Sequence, residues 1–390
     1  MAAQVYGAHV RPGWAKPTMR ILFWSETFWP RIGGVENAAA KLLPALRSRG
    51  HEFMVITWAH TEHPDKIQYQ DIPIYQFPFF SRGPQDGADP IMEHIGHVAR
   101  LKQSFAPHLV HINSYGRSVL FHLMTANAHP APMLVTLHQS LPDQPVGPDT
   151  VLVKLLAAAD WVVAVSDAVL AHATQLAQGI IQRSSVIHNA LEISAGGPVP
   201  ISFDRPRLLC IGRLVAEKGF DLALSAFATV LERFPGAHLV IVGEGPERKN
   251  LAKRVAELRL SNAVEFVGAV PPEDVPRWIS EATMLLIPSR VEGFGLVALE
   301  AALLGRAVVA TCVGGLPEVV VHKQTGLLVE KDDTDGFVRA VRFLMDHPQT
   351  ASEMGRNAQT RARALFNWDV HVKSYDDLYQ RLYQEHAARG

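Results

Sequence analysis

Short apolar runs alternate with helical patterns along most of the chain, beginning at residue 19. Each run is apolar at consecutive positions, which is typical of a strand that is buried on both faces. Parallel strands need crossover connections, usually helices, so this alternation predicts a parallel sheet covered on both sides. In the first half the predicted strands are MRILFWS, HEFMVITW, IPIYQFP, HLVHINS, MLVTLH and WVVAVS, and the predicted helices are residues 35–49, 91–105 and 167–178.

A break in this pattern divides the chain. The stretch SAGGPVPISFDRP contains two glycines and three prolines without periodicity, which predicts an interdomain linker. The alternation then restarts, which predicts a second doubly wound α/β unit. Its predicted strands are RLLCIGR, HLVIVGEG, VEFVGAV, MLLIPSR, AVVATC and GLLVE, and its predicted helices are residues 218–234 and 247–259.

These patterns predict the domain boundaries. The chain starts with a loose extension and ends with an amphipathic helical pattern that we expect to pack back on the first domain. Two facing parallel sheets place the carboxyl ends of their strands around a cleft between the domains. The predicted segments are the extension at 1–18, the first domain at 19–195, the linker at 196–206, the second domain at 207–368 and the final helix at 369–390.

Composition narrows the function classes. The 37 basic and 38 acidic residues leave a net charge of −1, so nothing favours nucleic acid as a partner. Cys210 and Cys312 both lie in apolar runs that resemble buried strands, and no disulfide framework is implied. No apolar run has the length of a signal peptide core or of a membrane span. We therefore expect a cytoplasmic protein that contacts a membrane at most peripherally.

The segment GRLVAEKG follows directly on a predicted strand of the second domain. Arg213 and Lys218 should emerge at the carboxyl end of that strand and at the start of the next helix. Two cations at such a turn suit a diphosphate, because charge-assisted hydrogen bonds are strong and a guanidinium can bind two oxygens. The alternative is a solvated loop with a surface ion pair, for example to Glu217.

Two glycine-rich turns also join a strand to a helix. In RIGGVEN, Gly33 and Gly34 let a ligand approach the backbone and offer N–H groups at a helix start, or they form a tight turn that needs positive φ. VIVGEGPER resembles half of a dinucleotide fingerprint, but Arg248 replaces the third glycine. We interpret it as a structural turn and expect no nicotinamide cofactor.

The segment SRVEGFGLVALEA carries two acids on either side of a turn. The predicted helix begins near Gly295 or Leu296, so Glu292 lies on the loop before it and Glu300 about one turn inside. The free N–H groups of residues 294–297, which are Phe294, Gly295, Leu296 and Val297, point with the positive helix end at the same space and favour an anion. The alternatives are an ion pair for Glu300 and a solvated position for Glu292.

His138 ends the predicted strand MLVTLH and should face the cleft from the first domain. It could donate to a sugar hydroxyl or carry a proton, although a structural role is the alternative. The acids of KDDTDGF precede a helix, so we interpret them as caps. No Cys/His cluster has metal-ligand spacing, and we predict no metal site.

Four motifs, in this order and at these separations, resemble the retaining glycosyltransferases of family 4, which have the GT-B fold of two facing Rossmann-like domains. They are the Gly33-Gly34 pair, GRLVAEKG, VGEGPE and EGFGLVALE, the last of which matches the E-x7-E motif of the family. The resemblance covers nearly the whole chain from Met19. It implies a nucleotide diphosphate sugar as donor, bound mainly by the second domain, and an acceptor bound mainly by the first.

The resemblance also implies roles for single residues. Glu292 would accept hydrogen bonds from hydroxyls of the donor hexose, Glu300 would accept them from the ribose, and His138 would lie near the transferred sugar. Arg213 and Lys218 would hold the diphosphate, together with the N–H groups of Gly34 and of residues 294–297. Such enzymes usually need no metal ion, and we expect no cofactor besides the donor substrate. The acceptor would be a glycan, a lipid-linked sugar or a small molecule, and the enzyme a monomer or weak oligomer.

Two segments depart from the family pattern. LHQS is not the His followed by an acid that some members have, and IHNALE replaces a common Pro-Asn-Gly-x-Asp.

Two other functions share the fold and the diphosphate contacts. One is a nucleotide-sugar epimerase or hydrolase, which would form free sugar or an epimer without an acceptor. The other is a non-catalytic binding protein, whose activity would survive the loss of Glu292.

Overall fold

The computed structural model describes residues 18–31, 33–59, 65–79, 90–139, 147, 150–192 and 201–389. Residues 1–17 of the predicted extension and residues 196–200 of the predicted linker lie outside these described residues. The described chain forms two α/β units, one around an eight-stranded sheet and the other around a six-stranded sheet. The two predicted doubly wound units are confirmed.

The first unit contains all six predicted strands and two more. Its sheet has the order β3-β4-β2-β1-β5-β6-β7-β8, and the pairs are parallel except for β3 with β4. The strands are β1 (Arg20–Ser25), β2 (Glu52–Trp58), β3 (Asp65–Tyr69), β4 (Ile72–Phe77), β5 (Leu109–Ser114), β6 (Met133–Leu137), β7 (Trp161–Ala164) and β8 (Ser184–Val186). The helices are α1 (Gly34–Arg47), α2 (Pro90–Phe105), α3 (Val119–Met124), α4 (Val151–Ala158) and α5 (Asp167–Leu176).

Four of these elements were missing from the prediction because their patterns are weak. β3 (DKIQY) and β8 (SSV) are short polar strands at the two edges of the sheet. α3 has six residues and α4 eight, which is too short for a helical period to be distinct. Edge strands and short helices are stabilised mainly by tertiary contacts, so local sequence gives little sign of them.

The second unit contains the six predicted strands in a fully parallel sheet with the order β11-β10-β9-β12-β13-β14. The strands are β9 (Arg207–Ile211), β10 (His238–Val242), β11 (Val264–Gly268), β12 (Met284–Ile287), β13 (Ala307–Thr311) and β14 (Leu327–Val329). The helices are α6 (Phe220–Arg233), α7 (Arg248–Glu257), α8 (Val275–Glu281), α9 (Leu296–Leu303), α10 (Leu316–Val319), α11 (Thr334–Asp346), α12 (Pro348–Leu365) and α13 (Trp368–Ala387).

Details in this unit refine the predictions. α6 begins at Phe220 and not at Lys218, because Gly219 before it has a left-handed φ of 64°. Asp333 caps α11 by accepting a hydrogen bond from the Gly336 N–H, so the interpretation of KDDTDGF as a cap is confirmed. Cys312 is exposed just beyond the end of β13, so its predicted burial is wrong, whereas Cys210 is buried.

The last helix, α13, lies against the first unit. Its Val372, Tyr379 and neighbouring apolar side chains share a core cluster with β1 and α1. The Tyr379 hydroxyl lies 2.6 Å from Nδ1 of the buried His111 on β5. The carboxylate of Asp376 on α13 accepts from Arg49, at 3.3 Å. Among the described helices, α13 included, none combines the length and apolar character that crossing a membrane requires.

The strand order reverses at one point in each sheet, between β1 and β5 in the first and between β9 and β12 in the second. Ligands of open α/β sheets bind at the carboxyl ends of the strands beside such a point. The segments that follow β9 and β12 are those that contain Arg213, Lys218 and Glu292. The topology therefore brings three of the predicted site residues together at the carboxyl ends of the central strands of the second sheet.

Candidate active site

The turn between β9 and α6 carries Arg213 and Lys218, and close backbone packing shapes it. Gly219 must be glycine, because a Cβ there would lie 2.0 Å from the carbonyl oxygen of Pro288. A Cβ on Gly243 would lie 1.9 Å from the Gly212 carbonyl oxygen. The VGEGPE motif thus supports the turn from behind, in agreement with its interpretation as structural.

Lys218, which follows β9, pairs with Glu292, which follows β12. The Lys218 Nζ lies 2.7 Å from Glu292 Oε2, and the Ser289 hydroxyl donates to the same oxygen at 3.2 Å. The alternative of an ion pair is therefore half right, but the partner is Glu292 and not Glu217. Arg213 is exposed, and its side chain has no partner in the described part of the chain. One cation is thus available to an incoming anion, while the other already holds a predicted site residue.

Arg290 is a residue of this site that sequence reasoning missed. Its guanidinium donates to both carboxylate oxygens of Asp221, at 2.8 and 2.7 Å, and to the carbonyl oxygen of Ala216 at 2.9 Å. It also contacts Asp332 at 2.7 Å. These bonds hold the pKa of Asp221 below its usual value and tie the Lys218 turn to the Glu292 loop. Its position two residues before Glu292 was the available signal.

The Gly-Phe-Gly turn leads into α9 as predicted. Gly295 is the N-cap residue with a φ of 101°, and a Cβ there would also lie 2.7 Å from Leu316 Cδ2. The Phe294 side chain is buried and meets Phe366 edge to face, with ring centroids 5.4 Å apart. The turn is therefore anchored through its side chain, which leaves its backbone N–H groups for a ligand.

Gly34 comes close to the start of α9 from the other domain. A Cβ on Gly34 would lie 2.9 Å from Leu296 Cδ1. Gly33 has an extended φ of −171°, so the alternative of a turn that needs positive φ is wrong. A Cβ on Gly33 would lie 2.2 Å from Oε2 of Glu36, so the Glu36 side chain would have to move. Gly34 therefore lies against the Leu296 side chain at the start of α9.

Glu300 lies on α9, one turn beyond Leu296. It forms no hydrogen bond or ion pair with the described residues, so the alternative of an ion pair is not supported. The Glu300 side chain is half-buried; desolvation of its carboxyl group raises its pKa to about 7, and Lys41 on α1 opposes the shift. A carboxyl group without a partner among the described residues can accept hydrogen bonds from ligand hydroxyls.

Glu300 should make nucleotide binding depend on pH. If Glu300 binds the ribose, as the family resemblance implies, the ribose hydroxyls would favour the ionised carboxylate and lower its pKa in the complex. Since the free carboxyl has a pKa of about 7, binding should release a proton below that pH. The affinity should then rise as the pH increases to about 7 and level off above it.

Calorimetric titration with UDP, GDP and ADP on both sides of that pH measures this dependence. The terminal phosphate of each nucleotide titrates near pH 6, so the reference is the Glu300→Gln variant, which keeps only the phosphate contribution. Equal pH dependence in wild type and variant would show that Glu300 does not bind the nucleotide.

His138 faces the second domain from the end of β6. A Cβ on Gly293 would lie 2.1 Å from the His138 carbonyl oxygen, so the loop of Glu292 packs directly on this residue. Burial lowers the pKa of His138 to about 3, which keeps the imidazole neutral. Its Nε2 lies 3.0 Å from Oδ1 of Asn113, a residue that the sequence analysis did not single out. The hydroxyl of Ser166 also bonds to the Gly293 carbonyl oxygen, at 2.7 Å.

A second interdomain contact is formed by Glu318 on α10. Its carboxylate accepts from the N–H groups of Asp167 at 3.0 Å and Ala168 at 3.1 Å, and lies 2.8 Å from Nε2 of His188. His188 belongs to the departing segment IHNALE, so that departure serves domain contact. Asp167, His188 and Glu318 are also the one group with metal-ligand spacing among the described residues. The Glu318 carboxylate is already satisfied by three donors.

Family models identify the chain. The model "Glycosyltransferase Family 4" matches residues 32–195, and "Glycosyl transferases group 1" matches residues 199–361. The chain belongs to glycosyltransferase family 4. The two models meet at the predicted linker, and this family 4 enzyme has all four of the motifs that suggested the resemblance.

Individual relatives agree with this assignment. Glycogen synthase of Mycobacterium tuberculosis is 28% identical over 398 residues, which cover 93% of this chain and 94% of that protein. A GDP-mannose-dependent alpha-(1-6)-phosphatidylinositol monomannoside mannosyltransferase of Mycolicibacterium smegmatis is 37% identical over 172 residues, 42% of this chain and 44% of that one. Both are named for glycosyl transfer. This family 4 protein is a glycosyltransferase that uses nucleotide-sugar donors.

The fold is confirmed by a solved structure. Sucrose-phosphate synthase from Thermosynechococcus elongatus superimposes with a TM-score of 0.81 at 23% identity, covering 94% of this chain and 100% of that chain. The family 4 enzyme described here therefore has the GT-B fold.

Proposed function

We propose that the enzyme transfers a hexose from a nucleotide diphosphate sugar to an acceptor hydroxyl, with retention of anomeric configuration and without a metal ion. Residues 207–368 form the donor domain and residues 19–195 the acceptor domain in this proposal. The observation that carries it is the Lys218–Glu292 pair, at 2.7 Å, with the exposed Arg213 on the same turn as Lys218. Two cations that can contact phosphate, Arg213 and Lys218, and a carboxylate that can contact the sugar, Glu292, thus lie together at the carboxyl ends of β9 and β12.

The diphosphate would be bound by charge and by backbone. Arg213 is exposed and has no partner among the described residues, and Lys218 can turn one of its three N–H donors to a phosphate oxygen while it keeps its bond to Glu292. The N–H groups at the start of α9 add the positive end of the helix dipole. Together these groups stabilise the charge that develops on the leaving diphosphate, which is the task that a metal ion has elsewhere.

The carboxylates would bind hydroxyls. Glu292 is held by Lys218 and Ser289 through one oxygen, at 2.7 and 3.2 Å. It would accept from the donor hexose. Glu300 would accept from the ribose one turn further along α9. Gly33 and Gly34 would allow the first domain to reach the diphosphate.

Retention would follow from attack on the same face as departure. A neutral His138 with a pKa of about 3 is a poor general base at physiological pH. In the first domain the Glu26 carboxylate accepts from Ser118, and Glu36 accepts from Thr27, so both are engaged with protein groups. A phosphate oxygen of the donor would therefore take the proton of the acceptor hydroxyl. The acceptor would be a glycan, a lipid-linked sugar or a small molecule. The enzyme would be a monomer or weak oligomer that acts in the cytoplasm or at a membrane surface.

A panel of UDP-, GDP- and ADP-sugars tests the proposal. The matching donor should raise the melting temperature of wild type and not that of the Arg213→Ala/Lys218→Ala variant, with Lys249→Ala as a surface control. With the matching donor and acceptor, NMR coupling constants should show the anomeric configuration of the donor in the product, in the presence of EDTA. A product with inverted configuration would contradict retention. Activity that is lost in EDTA and restored by Mg²⁺ would contradict metal independence. A trapped glycosyl-enzyme would contradict attack on the same face.

A further inference from the structure

Asn113 and His138 lie at the ends of the neighbouring strands β5 and β6. Asn113 is 2% exposed, and its Oδ1 lies 3.0 Å from His138 Nε2. The pairing of β1 with β5 shifts register here, since Trp24 pairs with Ile112 and Ser25 with Ser114. Asn113 therefore has no partner residue on β1 and forms a β-bulge. Bulges of this kind often redirect a side chain beside an active site.

Each member of this pair keeps one polar atom without a partner. Nδ2 of Asn113 and Nδ1 of His138 are buried and have no hydrogen bond within the described part of the chain. Buried polar groups in proteins are nearly always paired, so two orphans on neighbouring strand ends need an explanation. Separate groups of a bound ligand would satisfy them, a donor for His138 Nδ1 and an acceptor for Asn113 Nδ2.

The chemistry of asparagine determines which atom of His138 carries the proton. Oδ1 can only accept, so Nε2 must donate to it, and the neutral imidazole then has its lone pair on Nδ1. The pair therefore offers one donor, Asn113 Nδ2, and one acceptor, His138 Nδ1. The packing of Gly293 on the His138 carbonyl oxygen places this pair opposite the loop of Glu292.

We propose that Asn113 is a positioning residue that holds His138 in the Nε2–H tautomer, so that His138 accepts a hydrogen bond from a hydroxyl of the transferred hexose and moves no proton. This inference rests on the proposed function, since it assigns the hexose to this end of the cleft. It makes Asn113 and His138 a specificity pair for the donor sugar, opposite Glu292.

Two titratable groups among the described residues act electrostatically on the His138 ring. They are His111 on β5 and His371 on α13, and burial lowers the pKa of both, to about 3 and about 4. Nδ1 of His371 donates to the carbonyl oxygen of His188 at 2.8 Å, so the backbone holds this ring in place. A carboxylate at position 113 would place a negative charge next to the ring.

A ligand-free experiment tests the tautomer in the full chain. Nitrogen NMR of ¹⁵N-histidine protein, with the His138 signals assigned by their loss in His138→Gln, should show a protonated Nε2 and a bare Nδ1. Asn113→Asp, which keeps the shape, should raise the pKa of His138 by about 1 to 3. Asn127→Asp, the same change at an exposed site of the first domain, should leave it unchanged. A protonated Nδ1 in wild type, or an unmoved pKa in Asn113→Asp, would overturn the assignment.

Kinetics tests the function of the pair once a donor has been found. Asn113→Ala should lower kcat/KM by about 10- to 100-fold, and Asn113→Ala/His138→Ala should be no worse than His138→Ala, because Asn113 acts through His138. Each monodeoxy donor sugar lacks one hydroxyl of the hexose. One of them should be a poorer substrate than the complete donor for wild type, but should be used as well as the complete donor by His138→Ala. Additive losses, or deoxy sugars that are all equally affected by the variants, would refute the pair. A wild type that transfers no sugar would refute the proposed function, while the NMR result would stand.

Discussion

Replacing Glu292 with alanine should lower kcat/KM by about 100-fold or more, which corresponds to at least ~3 kcal/mol of transition-state stabilisation. The carboxylate would lose its contacts with the donor hexose, and Lys218 would lose the partner that lies 2.7 Å away. The loss should appear mainly in kcat, because contacts that strengthen in the transition state affect the chemical step. Initial rates over a range of donor concentrations measure it.

The control for this variant is Glu273→Ala, which removes an exposed acid of the same domain. Lys218→Ala and the double variant complete a cycle, and the double variant should lose much less than the product of the single losses because the two groups are bonded. A Glu292→Ala enzyme with wild-type kcat would contradict the role of Glu292 and with it the proposed donor site.

Lys102 should make stability rise with pH. It lies on α2 and is 1% exposed, and its Nζ lies 3.0 Å from His122 Nδ1 and 3.1 Å from the His122 carbonyl oxygen. Burial lowers the pKa of Lys102 from 10.5 to about 7. Between these values the unfolded chain binds more protons than the folded protein, so the free energy of unfolding should increase with pH. The difference in pKa corresponds to at most about 5 kcal/mol.

The comparison with Lys102→Met isolates this effect, since the variant lacks the titrating group. Urea unfolding followed by tryptophan fluorescence is a suitable measurement, because the Trp24 ring lies 5.8 Å from the His122 ring. Wild type should gain stability relative to the variant as the pH rises from 7 to 10.5, whereas Lys249→Met should follow wild type. Parallel curves for wild type and Lys102→Met would show that Lys102 is not buried uncharged.

Much of the fold was predictable because its signals are local. Buried strands such as β1 and β12 are continuous apolar runs, and each is bounded by turn residues. The edge strands β3 and β8 were not predictable, since tertiary pairing and not composition makes them strands. The exposure of Cys312 was missed for a similar reason: the apolar run continues past the end of β13.

The candidate site divides in the same way. Arg213, Lys218 and Glu292 could be found because each stands at a strand end or beside a glycine turn. Asn113 and Arg290 also stand near strand ends, but the sequence analysis did not single them out, because their importance lies in contacts with residues distant in sequence.

The sequence by itself determined the two α/β units, the family motifs and the residue types that can bind a diphosphate sugar, because periodicity and strand-end turns are properties of neighbouring residues. Only the tertiary structure decided the partners. Lys218 bonds to Glu292, Gly34 approaches the Leu296 side chain, and Glu300, with a pKa of about 7, has no partner in the described part of the chain. Such pairings depend on distance and burial in three dimensions, and the order of residues along the chain does not encode them locally.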